Sequence, residues 1–507
     1  MVSVYRRSIL SIFTNALKAL LSFITGVILA RGLGVEEYGV FAFLMSSFTA
    51  SRLLLDMGTS SAFFTFISKF NRSKHFFRYY GAWLLFQFVI STFFILLVAP
   101  DSWVNSIWQG ENKIRVILAF MAVFLQQTIW IAITHIGESQ RLTLKVQKIN
   151  ISIAAFHLVA VVTMFMMDTL SIERVFIFVA IEFLLATIYS YYCFTISYGG
   201  NNESLKDIFK EYKVYCSPLI PFVWVSMLSV FTNTWLLQKY SGSIEQAYYA
   251  IAVQFSSVSF ILITPVLNIL WKEVSESYEQ GNISQLHSIY SRTCRFLFLL
   301  PAIMVGMAVP WATEIINIVL GNEYSSAAPV MQLMFIYSIW QSLGAININT
   351  FYALELTTAR TVIGITFALI SLPFTYLMIA PADAVFPGSG LGAVGLALKM
   401  LCLQFISVNV YSWWVSRSMK WEFNWFYQIV VMFTCLGIGF SVYFSMNSLM
   451  FESLHLILRM MIAASLYVLL IAIIAYRKPF LLGMTKNDIS KGRDMIISLF
   501  FSIKKRL

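Results

Sequence analysis

Charged residues are scarce in this sequence. Asp, Glu, Lys and Arg make up 12% of the 507 residues, which is about half the share found in an ordinary soluble domain. Hydrophobic residues make up 59%, and the mean hydropathy is +0.76. Such a composition excludes a soluble globular domain and is typical of a membrane protein.

The motifs of common enzymes and motors are also missing. The chain contains no GxxxxGK[ST] loop for nucleotide phosphates, no HExxH zinc motif and no GxSxG nucleophile turn. Its five cysteines include no CxxC pair, so we expect neither disulfides nor a metal site. The longest outer loop, at about 100–113, leaves no room for the catalytic residues of a membrane glycosyltransferase. We therefore expect a protein that is not an enzyme and has no cofactor.

Apolar runs of spanning length are abundant, since about 20 residues suffice to cross a bilayer. The run that begins at Ser8 continues without a cleavage site, so it is predicted to be an uncleaved first span and not a signal peptide. Fourteen spans are predicted: 8–30, 38–66, 79–99, 114–136, 149–167, 175–196, 215–237, 246–270, 296–319, 329–354, 361–380, 391–415, 426–446 and 456–476.

The distribution of basic residues supports this count. With the N-terminus inside, 26 of the 35 Lys and Arg fall in inside segments, six in outside loops and three within spans. Because cytoplasmic loops carry the excess of Lys and Arg, both chain ends are predicted to be cytoplasmic. The tail at 481–507 alternates charges with an apolar stripe, which predicts an interfacial helix held by anionic membrane lipid.

Polar residues line one face of the first span. Their spacing of three and four residues is that of a single helical face, and they are Ser8, Ser11, Asn15, Lys18, Ser22 and Thr25. Small polar residues also pack helices together in a bilayer, but a lysine in mid-span favours a water-filled lumen.

The second span repeats this pattern with Thr49, Arg52, Asp56 and Thr59. Arg52 and Asp56 are four residues apart, so they can form a structural ion pair within the helix. Alternatively, Arg52 contributes to a cationic binding site and Asp56 is its switchable partner. The sequence leaves both readings open.

Two further charges lie deep in spans. Lys399 in the twelfth span is predicted to face a pathway, whereas Glu182 in the sixth fits a pathway or a structural partner equally well. His135 and His157 have no partner at a regular spacing, so each is interpreted as a satisfied structural histidine.

The two halves of the chain share a weak internal repeat. GLGVEEYGVFA after the first span aligns with GSIEQAYYAIA after the seventh at an offset of 208 residues, which pairs Gly34 with Gly242 and Glu37 with Glu245. Repeated halves are common in secondary transporters, which carry the substrate between them.

Four segments carry a resemblance to a known family. ILARGLGVEEYGVFAF followed by LLLDMGTSSAF, TPVLNILWKEVSES, and VLGNEYSSAAPVMQLM resemble bacterial O-antigen (Wzx-like) polysaccharide flippases of the multidrug/oligosaccharidyl-lipid/polysaccharide exporter (MOP) superfamily. The resemblance implies an all-α membrane protein with two six-helix lobes around a central cavity and two further helices. The corresponding boundaries are 1–200, 201–418, 419–480 for the last two helices, and 481–507 for the basic tail.

The resemblance also implies a function. It is the movement of an undecaprenyl-pyrophosphate-linked oligosaccharide, such as an O-antigen unit for lipopolysaccharide, across the cytoplasmic (inner) membrane by alternating access. H⁺ or Na⁺ is the expected coupling ion, polysaccharide polymerase and chain-length proteins are the expected partners, and no nucleic acid is expected. A pyrophosphate needs cationic partners, and the candidate lumen residues chosen from this sequence are Asn15, Lys18, Arg31, Arg52, Asp56 and Lys399. The alternatives are a peptidoglycan-precursor flippase, a drug or metabolite exporter of the same fold, and a membrane glycosyltransferase or polymerase.

Overall fold

A computed structural model of the chain describes residues 4–194, 198–199, 203–259, 264–448 and 454–482. Within these ranges the regular structure is entirely helical, which confirms the predicted all-α class. The helices are α1 (Val4–Asp56), α2 (Thr59–Lys69), α3 (Lys74–Phe93), α4 (Asp101–Ile107), α5 (Lys113–Phe124), α6 (Trp130–Ser139), α7 (Thr143–Met166), α8 (Ile172–Cys193), α9 (Leu205–Cys216), α10 (Ile220–Ser257), α11 (Thr264–Glu279), α12 (Ile283–Ala308), α13 (Ala312–Val319), α14 (Ala328–Ala353), α15 (Thr357–Ile379), α16 (Gly392–Met419), α17 (Phe426–Met446) and α18 (Leu456–Arg477). Two π-helical segments, Phe94–Val98 and Leu125–Ile129, extend α3 and join α5 to α6.

The chain forms two compact units. Unit 1 comprises residues 1–254 and 364–399, and unit 2 comprises 255–363 and 400–507. The helices α15 and α16 each begin in one unit and end in the other. The predicted lobe boundaries stay a prediction, and the predicted interfacial helix of the tail lies outside the described residues.

Eleven helical segments of the described chain are long and apolar enough to cross a membrane. Two of them, Phe13–Asp56 with 44 residues and Ile220–Ser257 with 38, are each long enough for two crossings. They overlap the predicted first and second spans and the predicted seventh and eighth spans, of which the second and the eighth extend beyond the ends of these segments. The tenth predicted span, at 329–354, coincides with α14, a helix of 26 residues.

Both of these long helices are interrupted by a single glycine. Gly34 has φ 76° and ψ 171°, and Gly242 has φ 81° and ψ −177°. This region of backbone space is essentially restricted to glycine, because a Cβ atom would clash with the adjacent peptide. The two glycines are paired in the internal repeat, so the repeated segments share a backbone break as well as a sequence pattern.

The repeated segments also contact each other within unit 1. A Cβ atom on Gly39 would lie 1.8 Å from the carbonyl oxygen of Ser243, so the backbones of α1 and α10 cross in direct contact. Gln254 of α10 donates from Nε2 to the carbonyl oxygen of Phe23 at 2.9 Å. Tyr38 in turn donates its hydroxyl proton to Oε1 of Gln254 at 3.2 Å.

The predicted second span at 38–66 is not one continuous helix. Helix α1 ends at Asp56, and α2 begins at Thr59. Between them, Met57 (φ 46°) and Gly58 (φ 83°) both adopt left-handed conformations. Apolar periodicity continues through this point, so the sequence pattern concealed the break.

Candidate functional site

Asp56 caps the amino terminus of α2. Its Oδ1 accepts the backbone N–H of Ser60 at 2.8 Å, and its Oδ2 accepts the hydroxyl proton of the same serine at 2.9 Å. Thr59 donates its hydroxyl proton to Oδ1 at 3.2 Å. A helix amino terminus offers unpaired N–H groups and a partial positive charge, and both stabilise a carboxylate.

The ion pair between Arg52 and Asp56, one of the two possibilities that the sequence leaves open, is therefore not formed in the described chain. Both residues are described, and the ion pairs of the described chain, taken to 4.0 Å, do not include it. The physical reason is the end of the helix at Asp56, which lets the carboxylate turn towards α2. The i, i+4 rule applies to the surface of a continuous helix, and here the helix has ended.

Arg52 contacts a backbone carbonyl instead. Its Nη1 donates to the carbonyl oxygen of Gln127 at 3.0 Å, while its Nε has no hydrogen-bond partner in the described structure. Gln127 also bonds to α1 through its side chain, since its Nε2 donates to the Thr49 hydroxyl at 3.0 Å. The side chain of Arg52 is half-buried. It lines a pocket whose other walls are Phe48, Ser51, Leu55, Phe120, Val123 and Phe124.

Sequence reasoning missed Gln127. It lies in the π-helical segment Leu125–Ile129, in the predicted fourth span. Single π-helical turns occur frequently at functional sites. The available signal was the adjacent pair Gln126 and Gln127 within an otherwise apolar run, but without the fold nothing linked that pair to Arg52.

The polar residues of the first span are open to their surroundings. Asn15, Lys18 and Ser22 are exposed, whereas Thr25 is buried and donates to the carbonyl oxygen of Leu21 in its own helix. Arg31, close to the Gly34 break, is also exposed. Exposed polar groups at a spacing of three and four residues are compatible with a water-facing stripe. The side chains of Ser8 and Ser11 lie outside the described residues.

Lys399 is enclosed in unit 1. It is 1% exposed, and its Nζ donates to Oδ1 of Asn233 in α10 at 2.8 Å. Thr375 of α15 donates its hydroxyl proton to the same oxygen, also at 2.8 Å. The ammonium group therefore joins α16 to α10, and α15 is bonded to the same amide. The spacing of residues along the sequence did not connect Asn233 with Lys399.

Glu182 has a structural partner. His157 Nδ1 lies 2.8 Å from Glu182 Oε2, and this contact joins α7 to α8. The glutamate is 5% exposed, and its Oε1 has no hydrogen-bond partner in the described structure. The histidine is thus satisfied, as predicted, by a residue that the sequence spacing did not identify.

The structure brings together some of the candidate residues. Arg52 and Asp56 both lie in the last turns of α1. Arg52 contacts the π-helical segment between α5 and α6, whereas Asp56 caps α2. Lys18 and Arg31 lie on the first half of α1, before the break at Gly34. Lys399 belongs to the separate cluster on α10, α15 and α16.

Several solved transporter structures share this fold. One described as the lipid II flippase MurJ in an inward closed conformation is 16% identical, with a TM-score of 0.65 over 93% of this chain and 98% of that chain. An inward-facing MATE family multidrug resistance transporter of the MOP superfamily is 12% identical, with a TM-score of 0.55 over 80% and 94%. A MOP superfamily transporter from Pyrococcus furiosus is 13% identical, with a TM-score of 0.54 over 82% and 95%. Identities this low establish the fold alone.

The sequence comparison defines the family. Residues 4–271, just over half of the chain, match the family described as polysaccharide biosynthesis protein. No curated protein matches the chain in sequence. Together with the apolar helices, these similarities identify a multi-pass membrane protein. The chain belongs to the polysaccharide biosynthesis protein family and has the fold of the MOP-superfamily flippases and transporters.

Proposed function

We propose that the protein moves an undecaprenyl-pyrophosphate-linked oligosaccharide across the cytoplasmic membrane. The observation that carries this proposal is the state of Arg52. Asp56 is engaged by α2, so the guanidinium group has a neutral carbonyl partner and a free Nε–H group. Its positive charge therefore has no carboxylate counter-ion within 4.0 Å in the described chain.

The chemistry of a pyrophosphate matches this arrangement. Arginine binds phosphate oxygens through two parallel N–H groups, and such charge-assisted bonds are about twice as strong as neutral ones. Lys18, exposed on the polar face of the first span, is a second candidate cation for this cargo. The apolar walls around Arg52 lower the local dielectric constant, which strengthens its attraction for an anion.

The fold by itself does not determine the cargo. The transporter from Pyrococcus furiosus is described as having a binding pocket of reversed polarity, with a suggested difference in function. The charge of the residues inside each protein must therefore be considered separately. Cations within the spans of this chain favour an anionic cargo over the cationic drugs of a multidrug exporter.

Binding of undecaprenyl pyrophosphate to the purified protein in nanodiscs tests the role of Arg52. We expect Arg52→Gln to weaken binding by about tenfold or more, since a lost charged hydrogen bond costs about 1.5–3 kcal/mol. Arg52→Lys keeps the charge without the planar fork and should weaken binding less. Lys148→Gln, an exposed lysine at the beginning of α7, is the matched control and should leave binding unchanged. Equal affinity of the wild type and Arg52→Gln would exclude this site.

Gene deletion tests the transport step in cells. Loss of the protein should reduce surface polysaccharide and cause lipid-linked intermediates to accumulate on the inner leaflet. Normal surface glycan without such accumulation would exclude a flippase. Arrest of cell-wall synthesis with normal surface polysaccharide would instead identify the cargo as the peptidoglycan precursor, which also carries a pyrophosphate.

A further inference from the structure

Helix α9 lies between two helices of spanning length. It comprises Leu205–Cys216, whereas α8 ends at Cys193 and α10 begins at Ile220. A helix of 12 residues is about 18 Å long, too short to cross a hydrocarbon core of about 30 Å. Because only three residues separate it from α10, this helix lies beside the membrane end of that helix.

One face of α9 is anchored to unit 1. Ile208 and Cys216 are each 6% exposed and pack into a cluster with Phe66 and Phe76. Burial also raises the pKa of the Cys216 thiol to about 11, as expected for a group held away from water. The helix is therefore docked on the protein by an apolar face.

The acidic side of α9 is held by an arginine. Arg72, between α2 and α3, forms ion pairs with Glu211 and, at 2.8 Å, with Glu203. Ser73 donates its hydroxyl proton to the other oxygen of Glu203 at 2.9 Å. Asp207 accepts the hydroxyl proton of Ser204 at 2.7 Å. The carboxylates next to the helix thus have local partners.

The lysines of α9 form a separate stripe. Lys206, Lys210 and Lys213 are all exposed, and the ion pairs of the described chain include none of them. At 100° per residue they fall within about 60° of the helix circumference. Phe209, which is 69% exposed, lies about 40° from Lys213 at the edge of this stripe.

We infer that this stripe of α9 binds anionic phospholipid of the bilayer. An aromatic ring beside three lysines matches the boundary between acyl chains and headgroups, where the ring enters the lipid and the ammonium groups reach the phosphates. The partner must offer both an apolar layer and negative charge, which a lipid surface does and a water-filled space does not. Anchoring by Arg72 presents the stripe in a fixed orientation. This binding does not depend on the identity of the cargo.

Photocrosslinking of the full chain in phospholipid vesicles tests the inference. A benzoylphenylalanine at position 209 reports which lipid touches the helix, in vesicles of phosphatidylcholine with a minor fraction of phosphatidylglycerol. We expect the share of phosphatidylglycerol adducts to exceed its share of the vesicle. Each lysine near the surface contributes roughly a fivefold preference for anionic over neutral lipid. Lys206→Gln with Lys210→Gln and Lys213→Gln should therefore reduce the adduct share to the composition of the vesicle.

The matched control removes the same charge elsewhere. Lys74, Lys148 and Lys420 are exposed and lie on three other segments, so changing all three to Gln should keep the enrichment. Adducts in proportion to vesicle composition in the wild type would overturn the preference for anionic lipid. Adducts to protein, or none to lipid, would overturn the membrane contact itself. Binding of undecaprenyl pyrophosphate should stay normal in the α9 triple variant, which separates this result from the proposed function.

Discussion

Replacing Asp56 separates its capping role from a role as a counter-ion. Asp56→Ala removes three hydrogen bonds to Ser60 and Thr59. Loss of a helix cap costs about 1 kcal/mol and up to about 2, and loss of the charge near the positive helix end costs about 0.3–1. We therefore expect the free energy of unfolding to fall by about 2 kcal/mol.

Asp56→Asn provides the decisive comparison. Asparagine is as good a cap as aspartate, and its Oδ1 can still accept the Ser60 N–H. At the second position the amide NH2 group can donate to the Ser60 hydroxyl oxygen, which reverses the direction of that hydrogen bond. The main loss is then the charge effect, so the cost should stay below about 1 kcal/mol. If the carboxylate instead neutralised Arg52, Asp56→Asn would destabilise the protein as much as Asp56→Ala, because both remove the charge.

Thermal unfolding of the purified protein in detergent, followed by intrinsic fluorescence, ranks the wild type and the two Asp56 variants by their unfolding midpoints. The midpoint should be highest for the wild type, lower for Asp56→Asn and lowest for Asp56→Ala. The loss of unfolding free energy caused by Arg52→Ala should add to the loss in either Asp56 variant, because the two side chains have separate partners. Equal midpoints for the two Asp56 variants would refute the capping interpretation. So would full transport in the exchange Arg52→Asp with Asp56→Arg, since arginine cannot accept the Ser60 N–H.

Two further predictions concern other positions in unit 1. Gly34→Ala and Gly242→Ala should each lower the free energy of unfolding by about 1–3 kcal/mol, although a Cβ atom would meet nothing within 4 Å at either position. Gly81→Ala in α3, where a Cβ atom also has open space, should raise the free energy of unfolding by about 0.5–1 kcal/mol. If Gly81→Ala lowered it as much as Gly34→Ala, the backbone explanation would be contradicted. For the contact between His157 and the buried Glu182, each single change to Leu should cost about 1–3 kcal/mol, because it leaves the other side chain without its partner. The double variant should cost less than the sum of the two single losses. Strictly additive losses in this double-mutant cycle would show that the two side chains are not coupled.

The sequence predicted the helical fold well because bilayer crossing imposes a strong compositional signal. Most predicted spans lie on long helices, although 38–66 and 296–319 each cross a helix end. The paired glycines Gly34 and Gly242 were already aligned in the repeat. The sequence also identified Arg52 as an unusual residue, since charge is rare in an apolar run. It did not reveal that Asp56 ends a helix, because Met57 and Gly58 interrupt the backbone without interrupting the apolar pattern.

Spacing rules, which apply within one helix, could not predict the contacts between helices. His157 and Glu182 are 25 residues apart, Arg52 and Gln127 are 75 apart, and Asn233 and Lys399 are 166 apart. Helical periodicity relates residues within one turn or two, whereas these pairs meet only through the packing of separate helices. By itself, the sequence determined that this chain is a helical membrane protein with cations in its spans. Only the tertiary structure decided which groups contact Arg52 and Lys399, because that depends on where each neighbouring carboxylate, amide and carbonyl finds its partner.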